Sequence, residues 1–203
     1  MVRWLCALLA AATLLAGQDR QKETALGAAV AKDLCRRNPV IEDALVQAYI
    51  DGAGQRLAAR MTGDLAWKFQ VVQGDWEGQA REPVALPGGF VLVPSTLLAA
   101  GNEGAFIRLL AHAMAHVAER HGMVRVDRPP AASPAPLIYR GWFPFGPGRF
   151  RPAEEAEAGR IASRAAADFE PDPGFSAVLR RLKELRAPAM PPLIPSLRRP
   201  DER

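Results

Sequence analysis

Residues 103–122 read EGAFIRLLAHAMAHVAERHG. Phe106, Leu109, Leu110, Ala113 and Val117 recur at steps of three and four, which places one apolar stripe along a helix. The pattern predicts a core helix from Glu103 to about Arg120, with Asn102 as its N-cap after the break at Gly101. His112 and His116 stand four apart on it, so both imidazoles leave one face, a turn apart. Two neutral ring nitrogens so placed can grip one metal ion, and zinc takes such ligands at about 2.0–2.1 Å. The same spacing, taken alone, also fits a structural pair. His121 follows beside Arg120 at the helix end and reads as a solvent-facing C-terminal residue, with capping or metal binding as its other uses.

Upstream, Pro83–Leu86 and Phe90–Val93 flank Pro87-Gly88-Gly89, a hairpin signature. Ala66–Val72 (AWKFQVV) is rich in strand formers with partial alternation. These runs predict a small antiparallel sheet beside the histidine helix. Two helices are expected before it, Gln21–Arg37 and Ile41–Met61, separated by Pro39. Ser95–Ala100 reads as a short helix. Downstream, Asp127–Pro152 is too dense in proline for regular structure and carries Tyr139, Trp142, Phe143, Phe145 and Phe150. That aromatic-proline segment suits irregular packing over the core, a lid over a cleft, or an exposed surface for a partner or lipid. Ala153–Phe169 is alanine-rich and helical, stopped by Pro171 and Pro173. Gly174–Arg186 is a last amphipathic helix. Residues 187–203 form a proline-rich tail, expected to be extended or disordered.

The chain has 203 residues, 49% hydrophobic and 24% charged, which suits one globular domain with a real core. Its formal net charge of +4 is scattered over isolated pairs such as Arg36-Arg37 and Arg198-Arg199, so a nucleic-acid partner is not expected. The start, MVRWLCALLAAATLLAGQ, has Arg3, then an apolar run Trp4–Ala16, then small residues at Leu15-Ala16-Gly17. This is the pattern of a secretory signal peptide over residues 1–17, with an uncleaved anchor as the alternative. The predicted location is periplasmic or extracellular. Gln18 stands where a lipoprotein would need cysteine. Removal of the signal would take Cys6 with it and leave Cys35, which reads as a small core residue and not as a disulfide partner. Membrane association is expected only through an uncleaved N-terminus or the aromatic-proline segment.

A third metal ligand would have to come from elsewhere. Glu154, Glu155 and Glu157 open the helix after the proline-rich segment, and a carboxylate there could complete a His-His-Glu site with an open position for water. Acidic residues in a first turn also complement the helix dipole with no metal at all.

The stretch ALPGGFVLVPSTLLAAGNEGAFIRLLAHAMAHVAERHG (Ala85–Gly122) resembles the core of the HtpX-like, Oma-type and BepA-like zinc metallopeptidases. There a Leu-Pro-Gly-Gly hairpin leads into a helix bearing HExxH and a following His-Gly pair. EEAEAGRIASRAAADFEPDPGF (Glu154–Phe175) is similar to their later helix with E-x-x-A-D and the Asp-Pro turn beyond it. The resemblance spans about residues 18–186. It implies an α+β, mainly helical zincin-like domain there, one zinc ion, and His112, His116 and Glu155 as its ligands. It also exposes two departures. Ala113 stands where the family has its catalytic glutamate, and Gly159 where it has an aspartate that supports a ligand histidine. In such a peptidase the metal polarises the scissile carbonyl and a water, and the glutamate carries the proton to the leaving nitrogen. Alanine can carry none, so no intact catalytic residue is expected. The resemblance therefore implies an exported metallopeptidase-like protein, proteolytically impaired, that binds zinc and an extended polypeptide or envelope protein, the polypeptide through strand addition. Two alternatives stand beside it. One is a weak zinc endopeptidase using another base, with Glu154 or Glu157 as candidates and Glu119 too distant. The other is a metal-free structural or interaction module.

Overall fold

The computed structural model describes the backbone of residues 2–73, 82–121 and 150–186, with side chains from residue 20 onward. Most of the aromatic-proline segment, residues 127–149, and the tail 187–203 lie outside the described residues. The architecture is mainly helical with one three-stranded mixed sheet, a coarse α+β arrangement.

Helix α1 spans Val2–Arg37 without a break, where the sequence predicts a separate helix from Gln21. Among the described residues no helix is long and apolar enough to cross a membrane. Helix α2 spans Ala44–Ala58 and starts later than the Ile41 expected from its periodicity. Asp43, in extended conformation, accepts from the amides of Leu45 and Val46 and caps the helix. The residues before it join the sheet edge instead. The Ile41 amide donates to the Val71 carbonyl at 2.8 Å, and Val40 bridges Val72. A hydrogen bond to a neighbouring strand outranks a local apolar spacing that continues the helix by only one turn.

The sheet comprises β1 (Lys68–Val72), β2 (Val84–Leu86) and β3 (Phe90–Pro94), in the order β1-β3-β2. The expected hairpin is present: Val84 faces Leu92 and Leu86 faces Phe90, antiparallel, across the Pro87–Gly89 turn. Gly88 and Gly89 take φ of 74° and 87° there, left-handed values that favour glycine. The expectation of a wholly antiparallel sheet is corrected. β1 runs parallel to β3, Lys68 beside Phe90 and Val72 beside Pro94. Period-two alternation marks a strand but carries no direction, and β3 shows why its own reading was clear. It is the central strand, and its Val91, Leu92 and Val93 are all buried.

The two faces of the sheet bury different sets. Val84, Leu86 and Leu92 meet Val30 and Ala31 of α1. Phe69, Val71, Ala85, Val91 and Val93 meet the larger core built from the helices on the opposite face. Alternate residues of β2 and β3 thus go to opposite layers. Helix α1 seats on the hairpin turn backbone to backbone. A Cβ on Gly27 would stand 1.8 Å from the Pro87 carbonyl oxygen, so only glycine permits that approach.

Helix α3 (Ser95–Ala99) leads through Gly101 to α4 (Glu103–Ala118). Asn102 caps α4 as predicted, its side chain accepting from the Ala105 amide at 2.9 Å. Helix α5 (Pro152–Ala166) lies along α4 over the most extensive helix–helix contact among the described residues. Ala158, Ala162 and Ala165 are its buried face, small residues that allow a close approach. Helix α6 (Phe175–Arg186) closes the core against α2 and α3 with Phe175, Val178 and Leu182.

Candidate metal centre

The seam between α4 and α5 decides the geometry of the site. Both helices are core elements, α4 fixed by Phe106, Ile107, Leu110 and Met114, α5 by its alanine face. Opposite faces of the two helices carry imidazoles and carboxylates that meet where the helices run together.

His112 Nε2 lies 3.0 Å from Glu155 Oε2, His116 Nε2 lies 3.6 Å from the same oxygen, and the two Nε2 atoms are 3.2 Å apart. His112, His116 and Glu155 form the group, among the described residues, that could hold a metal ion. Donors around a tetrahedral zinc at its usual bond lengths stand about 3.3 Å apart. The three observed separations bracket that value, so the donor set fits zinc in type and in spacing. His112 and Glu155 have side chains about one-third exposed, while that of His116 is 4% exposed. The convergence point is therefore reached from the solvent side past His112 and Glu155, with His116 as its floor.

The floor is built by residues that the sequence did not single out as a group. Phe150 stacks on the His116 ring at 3.6 Å between centroids and 14° between planes. His121 is not solvent-facing, contrary to expectation. Its side chain is 8% exposed, its Nδ1 lies 3.1 Å from His116 Nδ1, and its Nε2 lies 3.3 Å from Glu157 Oε2. The helix end explains the position. Arg120 adopts φ 56°, its amide bonds to the Val117 carbonyl, and the His121 amide bonds back to the His116 carbonyl at 2.8 Å. This is a Schellman termination with arginine where glycine is usual. It turns the chain back and lays His121 against His116. The dipole argument for an exposed end cannot see a left-handed arginine, so the position was not legible.

The remaining sequence candidates are engaged elsewhere. Glu154 is buried and bonded to Arg151, accepting from its backbone amide at 2.8 Å and from its guanidinium. Glu157 meets His121. Glu119 accepts from the Thr62 hydroxyl at 3.1 Å. Ala113 is half-buried against the main core. A Cβ on Gly159 would meet nothing within 4 Å, so that position has room for a side chain. Cys35 is half-buried beside the α1 core, and burial pushes its thiol pKa up, away from reactive thiolate.

The chain matches no family model and no curated protein.

Proposed function

We propose that this chain is an exported, metallopeptidase-like zinc protein whose proteolysis is impaired. The observation that carries the reading is the convergence of His112, His116 and Glu155 from two core helices onto one point at zinc-like spacings. The HtpX-like resemblance of residues 85–122 and 154–175, and the secretory pattern of residues 1–17, are what support the metallopeptidase-like and exported parts of the reading. Zinc, when bound, supplies Lewis-acid polarisation of a carbonyl. What the chain itself can do is narrower. His116 and His112 hold, Glu155 neutralises charge, and no carboxylate follows His112 to move a proton.

The alternative of a weak endopeptidase with a substitute base loses support from the engagement of Glu154 by Arg151, of Glu157 by His121 and of Glu119 by Thr62. Binding of an extended polypeptide rests on the resemblance: β2 pairs only with β3 among the described residues, but Val84, Ala85 and Leu86 are all buried.

The test is zinc titration together with peptide hydrolysis. The reading expects one zinc per chain, lost in His116→Ala, and hydrolysis of an unstructured peptide no faster than in a chelated control. Chelator-sensitive turnover by the unaltered protein would overturn the impaired reading. Equal metal content in the protein and in His116→Ala would overturn the zinc reading.

A further inference from the structure

We infer that His121, anchored by Glu157, is the positioning residue that sets His116 as a ready metal ligand. The inference rests on the metal-site reading above and deepens it. Ligand histidines as a rule donate their second ring N–H to an acceptor, which fixes the tautomer and orients the ring.

The protons on this chain of groups can be placed by elimination. The Glu157 carboxylate only accepts, so the His121 Nε2 facing it at 3.3 Å carries a hydrogen. Where His121 is neutral it has one N–H, so its Nδ1 is then a bare lone pair. His116 Nδ1, 3.1 Å away, must then carry the hydrogen of that contact and donate it. His116 Nε2 is left as a lone pair, and it points at Glu155 and His112, the convergence point. The Glu157–His121–His116 chain thus gives His116 its ligating tautomer before any ion arrives.

Three further features hold the chain in place. The Schellman turn at Arg120 fixes His121 through its own backbone amide. Phe150 covers the His116 ring on one face. The side chains of His116 and His121 are both at least nine-tenths buried, so water competes little for their nitrogens. His112 contrasts with them. Its Nε2 faces Glu155 at 3.0 Å, where a hydrogen on that nitrogen would make a good bond, so His112 must change tautomer to ligate while His116 need not.

The experiment compares two replacements that differ in whether the group at the place of Nδ1 can accept a hydrogen bond. In His121→Asn the amide oxygen occupies the place of Nδ1 and can still accept. In His121→Phe a C–H occupies it and cannot. Glu157→Ala, at a half-exposed position, removes the anchor without touching the core. Two readouts are taken. One is the tautomer of His116 by nitrogen-15 NMR of the metal-free protein at mildly alkaline pH. The other is zinc affinity by chelator competition. The expected result is N–H on Nδ1 of His116 in the unaltered protein and in His121→Asn, and a tautomer mixture in His121→Phe. Zinc affinity falls roughly 10–100-fold in His121→Phe, less in Glu157→Ala, and little in His121→Asn. A hydrogen on His116 Nε2 in the unaltered protein, or unchanged affinity in His121→Phe, would overturn the inference. An unaltered protein that shows the expected tautomer yet binds no zinc would overturn the metallopeptidase-like reading and leave the tautomer chain standing.

Discussion

The two ends of α4 both gather polar side chains, and they do so in opposite ways. At the N-terminal end Glu103 accepts from the Tyr49 hydroxyl at 2.8 Å and from the Asp172 amide at 3.1 and 3.2 Å. Donors meet an acceptor, each bond ties α4 to α2 or to the turn before α6, and the cluster completes itself. At the C-terminal end two imidazole nitrogens and a carboxylate oxygen face one point. A hydrogen between His112 Nε2 and Glu155 joins two of these groups, whereas one cation would take all three together. Polar convergence that closes on itself is structure. Convergence of metal-ligating atoms on one point is a place for a ligand.

The sharpest way to break this comparison is to supply what the C-terminal end lacks. Ala113→Glu should raise chelator-sensitive peptide hydrolysis above that of the unaltered protein, towards the 10²–10⁴-fold that a positioned acid–base group typically supplies. A gain that grows further with Gly159→Asp would place the second deficit at that position. No gain in either, with zinc still bound, would mean that the seam no longer admits a substrate.

Removal of a ligand is next in size. His116→Ala should weaken zinc by more than the roughly 10–100-fold expected for loss of an outer partner. Tyr49→Phe, at the opposite end, should leave zinc affinity alone. Chelator competition on the two variants reads both. Parallel losses would show that the ends act as one unit.

The N-terminal cluster should instead appear in the pH dependence of stability. Burial and the neighbouring Glu103 push the Tyr49 phenol pKa well up, so the folded protein keeps its proton where the unfolded chain has lost it. The folded pKa lies above the unfolded one, so this contribution is fully present below about pH 10 and fades as pH rises beyond it. Urea unfolding should show stability falling there by up to about 1.4 kcal/mol per pH unit, a slope that Tyr49→Phe lacks. At neutral pH the same variant should cost about 1 kcal/mol, the worth of one hydrogen bond.

The smallest effect tests whether the C-terminal end was built for stability at all. Gly159 sits inside α5 with no neighbour over it. Gly159→Ala should stabilise by about 0.8–1.0 kcal/mol through helix propensity, a melting rise of roughly 2–4 °C for a chain of this size. Zinc affinity should not move. Destabilisation would reveal a demand on the backbone that the helical geometry does not show.

Much of this was readable in the chain. The apolar steps from Phe106 to Val117 gave α4, the Pro87-Gly88-Gly89 run gave the hairpin, and Asn102 gave the cap, because each is a local preference that the core reinforces. The His112–His116 pair followed from helical spacing. Glu155 came from resemblance, since spacing alone left three glutamates open. What escaped depends on distant partners or rare backbone. β1 runs parallel to β3 because of where residues 68–72 dock. Ile41 leaves its helix for a bond to Val71. His121 reaches His116 only through a left-handed Arg120, a conformation that no composition rule assigns to arginine.

The central claim is most directly met by zinc-edge X-ray absorption on the zinc-loaded protein, alongside His112→Ala. Two imidazoles and an oxygen ligand at about 2.0–2.1 Å, with one imidazole lost in the variant, is the result expected. A sulfur ligand at about 2.3 Å, or an imidazole count that the variant leaves unchanged, would contradict it.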